Sequence, residues 1–124
     1  MPTSVSELSQ FKGCILSPKL DHHTSAKWWT AGIKEHVDIS LIANTEMGLA
    51  AAISAGAGIG VLPCFLGDRL NGVKRVTTIS IGAPVDIWLV THSALRQNPV
   101  VRALIRAIAA AMQRDATKLA GAQE

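Results

Sequence analysis

The 124-residue chain predicts an α/β domain built on a mostly parallel sheet flanked by helices, and three observations predict it. Short apolar runs alternate with stretches of helical periodicity, which is the signature of strands joined by crossover helices. The apolar share of 48% is carried by Ala, Val, Ile and Leu, with 4% aromatic residues, a composition suited to a sheet covered on both faces. The run Ile87-Trp88-Leu89-Val90 is apolar at every position, as a central strand with cover above and below must be.

The elements follow in order. Ser4-Val5-Ser6-Glu7 has the spacing of a capping box, in which a Ser hydroxyl and a Glu carboxylate satisfy each other's backbone donors, and predicts a short helix to Gln10. Gly13 to Leu16 is a brief apolar run stopped by Ser17-Pro18. A proline holds the preceding residue extended, so this strand ends at Leu16 or Ser17. Thr24 is a candidate N-cap for a helix to Ile33, ended by Gly32; of the adjacent Trp28 and Trp29, at most one can point inward at a helical period.

Val37, Ile39, Leu41 and Ala43 alternate with Asp38 and Ser40, which is strand periodicity, and the run stops at Asn44-Thr45. A helix from Thr45 to Ala55 follows. Its Ala-rich body lets it lie close on a sheet, and Gly56 supplies a left-handed cap. Ile59 to Leu62 is the next strand, closed by Pro63; Cys64 to Leu70 reads as a short helix; Asn71-Gly72 is a turn into a short amphipathic strand, Val73 to Val76. Gly82-Ala83-Pro84 is the best linker, and Val85 to Thr91 forms the double-sided strand.

Asn98 and Pro99 then supply an N-cap and a first-turn proline. Val101, Leu104, Ile105, Ile108 and Met112 recur on one helical face, with Arg102, Arg106 and Arg114 away from it. Residues 115–124 are small and polar and are expected to fray.

Charge and motifs exclude several functions. The net charge of +3, from 12 Lys and Arg against 9 Asp and Glu, is spread without the dense block of a nucleic-acid arm. The polar start has no signal-peptide h-region, and no run of about 18 apolar residues is present, so a cytoplasmic protein without membrane insertion is expected. Cys14 and Cys64 lie far apart and read as buried thiols with no disulfide. The charged share of 17% lies below the ordinary share of about 25%, which suggests that part of the surface is covered by something else.

No cofactor, metal or catalytic constellation emerges. Gly56-Ala57-Gly58-Ile59-Gly60 is glycine-rich, but a helix precedes it and a strand follows, the reverse of the phosphate-binding order. These glycines therefore serve helix termination and close helix-to-sheet packing. The 4 histidines, His22, His23, His36 and His92, lack metal-ligand spacing. His92 alone stands out, because it follows the end of a buried strand, where ligand-facing residues gather. No GxSxG motif and no carboxylate pair at a defining spacing is found, so an enzyme is not expected. Asn44-Thr45, at a strand end and helix start, suits an anion or carboxylate because free amides and the helix dipole point there. Ordinary capping explains the same residues, and Ser17 offers a hydroxyl at the same edge.

The run from Leu41 to Pro63, with Asn44-Thr45, Ala50-Ala51-Ala52, Gly56 to Gly60 and Leu62-Pro63, resembles the effector-binding domain of LysR-type transcriptional regulators. The likeness continues through Cys64 to Asp68, Ile87 to His92, Leu95-Arg96 and Pro99 to Arg102, and covers about Ser6 to Arg114. It implies a periplasmic-binding-protein-like (type 2) fold of two α/β lobes, with a small-molecule effector in the cleft between them. On this resemblance residues 1–81 are the second lobe, 82–114 the crossover with the strand and helix returning to the first lobe, and 115–124 a flexible tail.

Most of the first lobe and the helix-turn-helix domain are then missing, and DNA would be contacted only through that N-terminal domain. Ser17, Pro18, Asn44 and Thr45 match the second lobe's cleft-facing loop and strand-to-helix junction. Val90, Thr91 and His92 match the end of the returning strand, which meets the effector from the other side. The implied partners are a small effector, such as a small organic acid, and further copies of the chain through apolar surface left without its lobe. The alternative is a stand-alone one-lobe α/β module for protein interaction or dimerisation. A solute-binding transport protein shares the two-lobe fold but wants a signal peptide.

Overall fold

The computed structural model describes residues 2, 4–19, 27, 29, 32, 35–76 and 85–121. The Cα packing divides the chain into Met1–Val85 and Asp86–Glu124.

In the first unit, β1 (Lys12–Leu16) pairs in parallel with β2 (Asp38–Ala43). Cys14, Ile15 and Leu16 are all buried, and since successive side chains leave a strand on opposite faces, both faces of β1 are covered. On one face Cys14, Leu16, Ala43 and Leu49 cluster, with Leu41, Ile53, Ala57 and Leu62 packed against them. On the other, Leu8, Ile15, Trp29 and Val37 form a second cluster, flanked by Ile39, Ile59 and Val61. Burying a side chain such as Ile15 stabilises the fold by about 1.5–3 kcal/mol.

The alternation in β2 suggests one inward face, and the structure modifies this. Gly13 pairs with Ile39 but Cys14 pairs with Leu41, so Ser40 is an extra residue in β2. This bulge flips the faces, sending Ile39 to the Trp29 cluster and Leu41 to the Leu49 cluster. The Ser40 hydroxyl lies within donating distance of the Gly13 carbonyl at 3.2 Å and the Ala57 carbonyl at 3.0 Å. Lys12 and Asp38 pair at the start of the two strands.

Helix α1 (Glu46–Ser54) lies against this sheet through Leu49 and Ala50. The Gly48 amide donates to Thr45 Oγ1 at 3.0 Å, and Gly56 ends the helix with φ 81°, as the sequence predicts. Lys27, Trp29 and Gly32 are helical, so Gly32 does not end that helix before itself. Trp29 is the inward tryptophan; Trp28 and Thr24 lie outside the described residues.

Ile59 to Leu62 does not become a full strand. It makes one parallel bridge, Gly13 with Ile59, through Cys14 N to Ile59 O at 2.7 Å and Ile59 N to Lys12 O at 2.8 Å. The Cys14 carbonyl, which the next rung of a parallel ladder would reach, accepts from the Trp29 indole Nε1 at 3.0 Å. The bridge itself depends on Gly58, with φ 157°, where an added Cβ would sit 2.3 Å from the Lys12 carbonyl oxygen. The glycine-rich run is therefore packing against β1.

Other expectations are corrected. Val5–Gln10 is a 3-10 helix whose Ser4 makes no capping bond; its hydroxyl meets Ser6 Oγ at 2.9 Å. A short helix, α2, spans only Cys64–Gly67. Val73 to Val76 forms no strand; there Arg75 Nη2 donates to Asp68 Oδ2 at 2.6 Å, a bond that raises the guanidinium pKa further. Cys14 is buried, Cys64 is half-buried and both are free thiols.

In the second unit Val85's successors run as irregular chain rather than a strand, with Ile87, Trp88 and Val90 exposed by 63%, 79% and 84%. A strand needs a neighbour to bond, and the described residues of this unit contain no other. A 3-10 turn, Ser93–Leu95, precedes helix α3 (Pro99–Arg114), whose N-cap Asn98 Oδ1 accepts from the Val100 and Val101 amides at 2.9 and 3.4 Å. Its apolar face is only half-covered at Val101, Ile105 and Met112, while Leu104 and Ile108 are exposed. A further short helix, α4 (Ala116–Leu119), occupies the stretch expected to fray. The linker residues 82–84 lie outside the described residues.

Candidate functional site

The carboxyl ends of β1 and β2 are level, with Leu16 paired to Ala43, and the Ser17 amide carries the ladder one step further to the Ala43 carbonyl at 2.8 Å. Ser17 and Pro18 therefore leave the sheet beside Asn44 and Thr45. In open α/β sheets this edge is where ligands bind. Pro18, Asn44 and Thr45 are exposed and Ser17 is half-buried.

Thr45 holds the helix start. Its oxygen accepts from Gly48, and its backbone carbonyl accepts from the Leu49 amide at 3.0 Å, so the ordinary capping role is filled. The hydroxyl proton is still able to donate, and the first-turn amides have no partner inside the helix. The edge thus offers two hydroxyls, the Asn44 amide and a helix N-terminus, a donor set for a carboxylate or other small anion.

Val90, Thr91 and His92 belong to the second unit. Val90 and His92 are exposed and Thr91 is half-buried. His92 caps the 3-10 turn, with Nδ1 accepting from the Ala94 amide at 3.2 Å. Val90 and Thr91 line an open groove with Arg96, Arg102 and Arg106. The sequence reading set Arg102 and Arg106 aside as outward-facing; the signal it missed is that they lie one turn apart around Ile105 and share its groove.

Among the described residues no group of His, Cys, Asp and Glu is placed to hold a metal ion, and no helix is long and apolar enough to cross a membrane.

The profile of the LysR substrate binding domain matches residues 1–113. The chain belongs to this family. No curated protein and no solved structure gives a significant match to it. As a LysR-type domain it is a substrate-binding domain of a transcription regulator, with the periplasmic-binding-protein-like fold of that family. The small parallel sheet flanked by helices fits an incomplete lobe of that fold. The family is one of regulators, and its domain takes small-molecule effectors.

Proposed function

We propose that this LysR substrate-binding domain senses a small organic acid without catalysis, at the edge formed by Ser17, Pro18, Asn44 and Thr45. The carrying observation is the level pairing of Leu16 with Ala43, which sets those four residues beside the amino end of α1. Val90, Thr91 and His92 are proposed, separately, as the effector-contacting residues of the second unit. DNA contact is assigned to a helix-turn-helix domain outside this segment, and association between copies to the apolar residues around Trp88.

The test is thermal unfolding against a panel of small carboxylates, among them succinate, malate and benzoate. A ligand at 100 times its Kd stabilises by about 2.7 kcal/mol, a rise of about 10–20 °C in Tm for a domain of about 100 residues. Ser17→Ala, which leaves the Thr45 cap in place, is expected to remove most of that rise, and Thr45→Ser is expected to retain it. A rise of full size in Ser17→Ala and Thr45→Ala alike would remove the edge from the site.

A second reading, a stand-alone interaction module, is favoured by the exposure of Ile87, Trp88 and Val90. It calls for self-association with or without acid.

A further inference from the structure

We propose that Ser40 is the positioning residue of the effector edge: its hydroxyl holds the extra residue of β2 in place and so sets the register that brings Asn44 and Thr45 level with Ser17 and Pro18. This rests on reading those four residues as the effector edge and adds the group that aligns them.

The level pairing of Leu16 with Ala43 follows from the bulge, since between Gly13 and Cys14 the partner in β2 jumps from Ile39 to Leu41. Continued from Gly13 and Ile39 without that jump, the ladder would pair Cys14 with Ser40, Ile15 with Leu41 and Leu16 with Ile42. Asn44 and Thr45 would then lie one residue, about 3.3 Å, further along β1, and Leu41 and Ile42 would change faces. Such a displacement exceeds what hydrogen bonds to one shared ligand tolerate.

Apolar burial alone does not choose the observed register. Ile42 is 59% exposed in it, whereas Ala43 is buried. The bulge-free ladder would set Ile42 beside Leu16 on the face of the Leu49 cluster and move Ala43 out of that cluster, exchanging a small buried side chain for a larger one. What the observed register has instead is the Ser40 hydroxyl, 3.2 Å from the Gly13 carbonyl and 3.0 Å from the Ala57 carbonyl. Gly13 is the residue at which the bulge opens, and Ala57 is tied to α1 by its amide, which donates to the Ala52 carbonyl at 3.0 Å. One side chain thus joins the bulge both to β1 and to the helix whose first turn forms the edge.

The experiment reads the register directly, as scalar couplings across hydrogen bonds in NMR spectra of the isotope-labelled whole chain. In the parent, the Ser17 amide couples to the Ala43 carbonyl, to which it donates at 2.8 Å. Ser40→Thr keeps the hydroxyl and is expected to keep that coupling. Ser40→Ala and Ser40→Val, the latter matching threonine in shape, are expected to lose it, with the Ser17 amide coupling to the Ile42 carbonyl instead. Ser40 is exposed, so all three variants are expected to keep the far-UV circular dichroism of the parent. The rise in Tm with succinate, malate or benzoate is expected to persist in Ser40→Thr and to be largely lost in the other two. A coupling of Ser17 to Ala43 that survives in both Ser40→Ala and Ser40→Val would overturn the proposal and leave the edge standing as the effector site. Its loss in Ser40→Thr as well would overturn the role of the hydroxyl. Coupling that moves to Ile42 with an undiminished rise in Tm would overturn the positioning role, since the effector would not need the alignment. If no carboxylate raises the Tm of the parent, the edge fails as an effector site, while the couplings still decide whether Ser40 sets its alignment.

Discussion

Gly58 shows how one residue sets the fold's third extended run. Its backbone passes so near Lys12 that any side chain must displace β1 itself, and its φ of 157° disfavours other residues as well. Gly56, with φ 81° and open space where a Cβ would stand, meets the conformational penalty alone, about 1–2 kcal/mol. Gly58→Ala is therefore expected to destabilise by more than about 3 kcal/mol, in the class of backbone strain with steric overlap, and Gly56→Ala by about 1–2 kcal/mol. Urea unfolding midpoints compare them; similar losses would mean that the close approach is not required. The sequence reads these glycines as helix termination and close helix-to-sheet packing; Gly56 fills the first role, while Gly58 instead lets the run at Ile59 approach β1. The sequence held no sign of the Ser40 bulge, because a polar residue in an alternating strand looks like an ordinary outward position.

Elements with local signals were legible, and those that depend on distant partners were not. β1, β2, α1 and α3 each carry their boundaries in the chain: a proline after Ser17, Thr45 and Asn98 as caps, Gly56 as terminator. Ile59 to Leu62 has a strand's composition, but whether it extends a ladder depends on its pairing with the distant β1, where it makes the single bridge of Ile59 with Gly13. Val85 to Val90 fails for a similar reason, since a strand cannot exist without a neighbour. The site divides likewise. The positions of Ser17, Asn44 and Thr45 at strand ends could be foreseen, whereas the level ends of β1 and β2 that set them side by side depend on the pairing of Leu16 with Ala43. At this scale α3 makes a clean prediction. Removing the Asn98 cap with Asn98→Ala should cost about 1 kcal/mol, read as a fall in Tm. An unchanged Tm would mean that α3 contributes nothing to the cooperative transition.

For the whole molecule, the unevenness between the units carries the argument. The first unit has two buried clusters on either side of β1, while α3 in the second has no buried residue. The apolar residues Ile87, Trp88 and Val90 of the second unit are correspondingly exposed. The central claim is nonetheless local: the level ends of β1 and β2 form an effector edge in a LysR substrate-binding domain. The most direct measurement is the backbone amide NMR spectrum of the chain as it is titrated with the carboxylate that raises Tm most. The account predicts saturable shifts at Ser17, Asn44, Thr45, Glu46 and Met47, with little change at Cys14 or Ile15 inside the sheet. Saturable shifts elsewhere that leave those five amides unmoved would contradict it.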